Sequence, residues 1–525
     1  MAYGTLLLAA AGGIALLAYG VDFLLRRLDD PREPRRITPK IPVPVVGHIL
    51  GVLRYGFNYY SLLSETTDAE IYSLGALNFK IYITKTTRLT QLVQKSKSLS
   101  FTPFLKVPAD AVSSEAHALF DGPLLDKFSL GTKEALAPGP HLDAQNLRMG
   151  EQLLVHVTDL TKQEEINLFE WAKHAIVQAT AVGLYGAAHP FLNREVEDAL
   201  WVWEEGRPNQ MLGIDPLRRV RNARGRVFDA FRAYFSRERL PDDVSYLVAR
   251  RSELLREGGI AEDDIYKMQA TLSNAAYPNT VPTLFWTVYE IYSRPGLLEE
   301  IRDELLRKAV TRSSPPSSSP SSDPSNETTK GVAEYTLDIA ALQTECLLLL
   351  SVYQETQRTR HSQVAWRMVT EDTTLDDGRW RLKKGNYLQM PVRPVHESQA
   401  IWGPGATEFD PYRFVPKTGG GGGGGRIAPS TFLAWGSAPH LCPARQFAST
   451  EILIAAALLI LRTHLTPLGG NKGWESRPAV KSGTPTLPRP KRDVRLRVTL
   501  RDEAGDAEWR VVMGRSKARI SLASG

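Results

Sequence analysis

Apolar side chains recur at helical spacing through most of the chain between Ser61 and Val310, which predicts helices joined by loops. The longest periodic stretches are Glu151–Val182 and Asp263–Lys308. Pro278 and Pro282 interrupt the second. Each removes a backbone donor, so the helix is expected to kink or open there before the pattern resumes over Thr283–Ser293. A further helical run follows from Ala444 to Arg462. Short strand-like pieces occur at Ile81–Ile83, Val364–Val369, Tyr387–Met390 and Val494–Leu500. No internal repeat is evident. The pattern predicts one large domain over 51–525, mainly α with small β-sheets.

Two segments fall outside that pattern. Arg312–Thr329 is mostly Ser and Pro and buries too little to offset the entropy of ordering, so 312–329 is expected to be a disordered surface insertion. Gly419–Gly425 is a run of glycines, read as a flexible loop.

The N-terminus is different again. Tyr3 to Val21 is almost wholly apolar or small, just long enough to cross a bilayer as a helix. No basic region precedes it, which favours a retained anchor over a cleaved signal peptide. Arg26, Arg27, Arg32, Arg35 and Arg36 follow, and the positive-inside rule then leaves the rest of the chain on the cytoplasmic side. The expected division is a single-pass anchor over 1–27, a basic, proline-rich hinge over 28–50 and a catalytic domain beyond it.

Composition adds two constraints. A formal charge of +6 over 525 residues, with no long Lys/Arg run, gives no argument for nucleic acid as a partner. There are 2 cysteines, Cys346 and Cys442, too few for a disulfide framework and without a C-x-x-C zinc pattern. Cys442 precedes a helix start, where backbone N–H groups and the positive helix end favour thiolate. A lone cysteine is usually a small buried hydrophobe, and only its surroundings make this one chemical.

Those surroundings read Phe432-Leu-Ala-Trp-Gly-Ser-Ala-Pro-His-Leu-Cys442-Pro-Ala-Arg-Gln-Phe-Ala448. Upstream lie Glu355-Thr-Gln-Arg358, then Arg367, His396-Glu397, Ile401-Trp-Gly403 and Phe409-Asp-Pro-Tyr-Arg413-Phe414. In order and spacing this set resembles the cytochrome P450 superfamily, from about Ile41 to Arg462. The resemblance implies the P450 fold with one N-terminal transmembrane helix, haem b as cofactor, and Cys442 as the axial iron ligand. It implies that Trp435, Arg367 and His440 bind the haem, the last two at its propionates, and that Glu355, Arg358 and Arg413 form a buried charge triad. Ala438 and Ala444 stand where the family usually has glycine, which is tolerable if neither needs positive φ.

The string Leu272-Ser-Asn-Ala-Ala-Tyr-Pro-Asn-Thr-Val-Pro-Thr-Leu-Phe-Trp286 resembles the helix crossing the distal haem face. Val281 and Pro282 replace the usual acid–Thr pair. Asn-Thr-x-Pro followed by Phe-Trp is similar to the branch containing cholesterol 7α-hydroxylase and prostacyclin synthase, which makes Asn279 and Thr280 the candidate catalytic residues. The resemblance implies a monooxygenase at the endoplasmic reticulum membrane, drawing NADPH electrons through a cytochrome P450 reductase. Its partners would be membrane lipid and a lipophilic small-molecule substrate, sterol-like, terpenoid or another secondary metabolite, and the insertions suggest a fungal chain. The competing readings are a haem-thiolate isomerase or dehydratase acting on a peroxide, and a non-catalytic haem-binding membrane protein.

Overall fold

The structure is a computed structural model. It describes residues 19–524 apart from 25, 44–45, 57, 76–78, 107–110, 212–214, 314–332, 417–427, 470–472, 476–477, 482–486, 502–506 and 515–518. Most of the expected anchor, most of the Ser/Pro insertion and the whole glycine run lie outside the described residues. Among the described residues, no helix is long and apolar enough to cross a membrane.

The core is a bundle of four helices: α1 (Pro140–Leu160), α2 (Leu168–Tyr185), α3 (Ser273–Tyr292) and α4 (Arg445–Arg462). α4 explains the arrangement. Its Ile452–Leu461 run is apolar on every face, so the helix is stable only when surrounded, and it is buried throughout this run. The bundle corrects both long helical readings. Glu151–Val182 is two helices, separated by a turn and the strand Glu165–Asn167. Asp263–Lys308 is three, Glu262–Ala270, α3 and Pro295–Lys308.

The interruption before α3 falls at Thr271–Leu272, not at the prolines. α3 runs on through Pro278 and Pro282. Threonine hydroxyls bond back to carbonyls one turn earlier along this stretch: Thr280 to Ala276 O at 2.8 Å, Thr283 to Asn279 O at 2.6 Å and Thr287 to Thr283 O at 2.8 Å. None of these bonds replaces the two that the prolines remove, at Asn274 O and Pro278 O; burial of every residue from Thr280 to Tyr292 is what supports a helix that continues through both prolines.

Beside the bundle lies a five-stranded sheet, in spatial order β1 (Ile71–Gly75), β2 (Lys80–Thr84), β5 (Tyr387–Pro391), β4 (Val364–Val369) and β3 (Leu99–Ser100). The β2–β5 pair is parallel and the others antiparallel. All four expected strand segments are strands, the last as Arg495–Leu500. Arg312 and Ser313, expected to be disordered, belong instead to a strand, Val310–Ser313, paired with Glu334–Asp338. Part of the expected hinge is tied down: buried Glu33 meets Lys80 at 2.7 Å and Tyr82 at 2.8 Å, and Arg36 bridges to Ser73.

Candidate functional site

Cys442 ends a tight antiparallel hairpin in which Gly436 pairs with Leu441 and Ser437 with His440. The Cys442 N–H donates to Trp435 O at 2.9 Å, closing the loop before α4 begins. Gly436 has φ +93°, and a Cβ there would sit 3.1 Å from His440 O, so glycine is required. Ala438 and Ala444 both have negative φ, and Ala444 lies at φ −83°, so neither needs glycine.

Three side chains from the 79 positions before Cys442 hold this hairpin. Arg367, on β4, donates to Ser437 O at 2.8 Å and Ala438 O at 3.1 Å. Gln363 donates to Leu433 O and Ala434 O at 2.8 and 2.7 Å. His396 Nε2 accepts from the Leu433 N–H at 2.9 Å, and its Nδ1 lies 3.0 Å from Arg358 O. A carbonyl only accepts, so Nδ1 carries the proton. Burial holds the His396 imidazole down at about 3, so the ring is neutral.

His396 therefore joins the hairpin to the charge triad. α5 (Leu347–Arg360) carries Glu355 and Arg358 one turn apart, and both side chains are fully buried. Arg358 grips the carboxylate with two bonds of 2.7 Å and also donates to the carbonyls of His396, Ala406 and Glu408. Arg413 reaches Glu355 Oε1 at 3.1 Å, and the Asp410 N–H reaches the same oxygen at 3.0 Å. Three residues separated by up to 58 positions thus meet in one buried cluster.

Around the thiol the electrostatics differ from the sequence expectation. The Ala444 N–H and Arg445 do pull the Cys442 pKa down, but burial outweighs them and the thiol is held above its ordinary value. A helix start alone does not make this thiolate; a bound cation would. Cys346, buried at the start of α5, is pushed up to about 12 by burial and then by Glu304, against a smaller pull from Lys308.

The residues fit a haem. Arg367 is 2% exposed, and no carboxylate among the described residues pairs with it. A buried guanidinium facing only carbonyls and the Phe101 ring, 5.8 Å away, is charge-deficient in the way a propionate would satisfy. His440 stacks obliquely on the same Phe101 ring at 5.5 Å. Its imidazole is held down at about 4, by burial first and then by Arg367 and Lys133. Lys133, on the helix Gly122–Ala135, carried no sequence signal for this placement. Trp435 Nε1 is buried with no hydrogen-bond partner among the described residues.

On α3, Asn279 is exposed and shares its face with Ala275 one turn earlier, and its amide makes no hydrogen bond to another described residue. Thr280 is buried and its hydroxyl proton is committed to Ala276 O. The structure thus separates these two candidates: Asn279 has free amide hydrogens to offer a ligand, whereas Thr280 offers only acceptor capacity.

The comparisons with known proteins agree with this geometry. A sequence profile for the family described as Cytochrome P450 matches residues 226–489. The chain is 33% identical over 517 residues to the cytochrome P450 monooxygenase nodJ of Hypoxylon pulicicidum, covering 96% of each chain. It is 26% identical over 488 residues to a cytochrome P450 monooxygenase of Gibberella zeae, covering 90% of this chain and 89% of the other. It is 27% identical over 294 residues to the cytochrome P450 monooxygenase poxD of Penicillium oxalicum, covering 54% and 55%.

Proposed function

This chain belongs to the cytochrome P450 family and is a monooxygenase-type oxidoreductase, and from that premise we propose that it inserts one oxygen atom of O2 into a lipophilic substrate of secondary metabolism. Electrons come from NADPH through a membrane-bound reductase. The enzyme is anchored in the endoplasmic reticulum membrane by its first 27 residues and works on the cytoplasmic side. The Asn-Thr-x-Pro string with Phe285 and Trp286 supports a place near the branch containing cholesterol 7α-hydroxylase and prostacyclin synthase. The named relatives, monooxygenases of fungi, support the reaction class and a fungal source.

The observation that carries the reading is Arg367, a buried cation without a carboxylate, bonded to the hairpin that ends in Cys442. Bound there, haem supplies the iron at which O2 is reduced and split, with the thiolate favouring cleavage of the O–O bond. Cys442 would bind the iron. Arg367, while fixing the hairpin, would neutralise a propionate, and His440 would add a second donor there. Trp435 would contact the haem with its Nε1 available. Asn279 presents an amide that donates and accepts, and would orient water or substrate.

The test is a reconstitution with reductase, NADPH and a library of lipophilic compounds. The reduced, carbon monoxide-bound protein should show the red-shifted Soret band of thiolate ligation, and oxygenated product should require NADPH. Full turnover of a peroxide substrate without NADPH would overturn the monooxygenase reading in favour of an isomerase. Asn279→Leu should keep carbon monoxide binding but yield less product per NADPH, and unchanged yield would remove Asn279 from the mechanism.

A further inference from the structure

The three side chains that hold the cysteine hairpin bond only its first half, from Leu433 to Ala438. The far end, where Cys442 passes into α4, is braced from elsewhere. Beyond the strand Glu508–Val512, which pairs with Glu334–Asp338, the chain returns to the start of α4 over Ile520–Ser524. At first this return is two-sided, as an extended segment is: Arg519 and Ser521 are exposed, while Ile520 and Leu522 are buried in the main core.

Two glutamines hold the segment. Gln446, in the first turn of α4 and four positions after Cys442, is buried. Its amide meets both backbone groups of one residue: the Ile520 N–H donates to Oε1 at 3.0 Å, and Nε2 donates to Ile520 O at 3.2 Å. A residue on a facing strand makes the same pair of bonds. Gln354, buried on α5 immediately before Glu355, accepts from the Ala523 N–H at 2.6 Å. Ala523 packs on the cluster of Trp402, Ala406, Phe432 and Ala434, against which Trp435 also packs. Phe432 and Ala434 lead into the hairpin, Gln446 follows it, and Gln354 neighbours the triad. One short segment therefore touches the entry of the cysteine loop, the helix that leaves it, and the helix that carries Glu355 and Arg358. Buried amides need partners, and both ends of the Gln446 amide are met by this segment.

We infer that Ile520–Ser524 is a brace that positions Cys442, with Gln446 and Gln354 as the positioning residues through which it acts. The inference rests on the haem-thiolate reading of Cys442. By tying the start of α4 to the cluster at Phe432, the brace fixes one end of the hairpin against the other, and with them the place of the sulfur. When the brace is loosened, water reaches the loop. The Cys442 sulfur then takes a proton from water and its bond to iron opens, with no electron gained or lost.

The test uses the haem-loaded full chain and needs no substrate. Amide hydrogen exchange in wild type should be slow at Ile520 and Ala523, each of which donates to a buried glutamine. Gln446→Leu should speed exchange at Ile520. The carbon monoxide-bound Soret band supplies the second readout, in Gln446→Leu, in Gln354→Leu and in a chain lacking residues 520–525. The red-shifted band should convert to the thiol form roughly 10- to 100-fold faster than in wild type in the shortened chain, the span that follows from losing three hydrogen bonds, and less so in the single substitutions. On acidification it should be lost at a higher pH. A peptide of the sequence Arg519–Gly525, added at about millimolar concentration to match a short tether, should slow conversion of the shortened chain. Urea midpoints taken alongside separate lost stability from lost position, because only lost position changes the spectrum of folded protein. Fast exchange at Ile520 and Ala523 in wild type, or conversion of Gln446→Leu at the wild-type rate and pH, would overturn the brace. If the shortened chain does not fold, the single substitutions decide. Haem-loaded wild type without a red-shifted band would overturn the thiolate reading and leave the exchange result standing, so the two failures are distinguishable.

Discussion

Arg358→Lys keeps the charge and removes the shape. Arg358 makes five hydrogen bonds, two to Glu355 and one each to the carbonyls of His396, Ala406 and Glu408. Lysine has three N–H groups, so at least two of those five acceptors go without. Glu355 also has Arg413 and the Asp410 N–H, so the loss falls mainly on the carbonyls. A buried acceptor left unmade costs about 1–3 kcal/mol, which puts the substitution at about 2–6 kcal/mol. Typical folding stability is about 5–15 kcal/mol, so the variant should fold with a much reduced margin. Arg358→Ala should be worse, because it loses all five bonds and leaves Glu355 with Arg413 as its only cation; breaking a buried pair typically costs about 3–5 kcal/mol. The assay is urea unfolding followed by circular dichroism, with haem content read from the carbon monoxide-bound spectrum. The midpoint should fall in the order wild type, Arg358→Lys, Arg358→Ala at constant slope. Haem content should fall with it, because His396 passes the same carbonyl network to the cysteine hairpin. An Arg358→Lys midpoint equal to wild type would refute the bond accounting.

Cys442→Ser should abolish the thiolate Soret band while Cys346→Ser leaves it intact, and a persisting band in Cys442→Ser would rule out that ligand. Gly436→Ala should cost about 1–2 kcal/mol for a side chain at left-handed φ, and a haem off-rate equal to wild type would show the hairpin to be less constrained than its φ of +93° implies. His361 is buried with neither ring nitrogen bonded to another described residue, and burial holds its pKa down at about 3. The folded state therefore binds fewer protons than the unfolded one between about 3 and 6.5, so stability is complete above about 6.5 and is lost as pH falls through that window. His361→Leu should flatten this acid slope without loss at neutral pH; urea midpoints measured between pH 7 and 4 check it, and an unchanged slope would contradict it.

What could be read from the sequence was whatever has a local signature. Glu355 and Arg358 are one helical turn apart, Arg367 follows on a strand with a clear β pattern, and Cys442 stands in a loop of distinctive residues. The roles of His396 and Gln363 were not legible, because both depend on where a carbonyl or N–H some 37 or 70 positions away comes to rest. Thr180 and Glu451 are 271 positions apart, and neither has a neighbour in the chain that hints at the other. The end of the helix before α3 has no sequence signal, because Thr271–Leu272 carries no breaker residue, whereas the prolines announce a lost donor that packing around α3 offsets without ending the helix. The helix start that pulls the Cys442 thiol down is visible in the sequence, and the desolvation that opposes it is not.

The bonds on the cysteine hairpin also have an order in time. Its donors and acceptors, Gln363, Arg367 and His396, are synthesised before Phe432 emerges, and the triad that holds His396 in place is complete by Arg413. The residues of the cradle are thus made before the ligand they position, but α4, whose burial completes the core, is made only after Cys442, so cradle and sulfur come into register together when that helix packs.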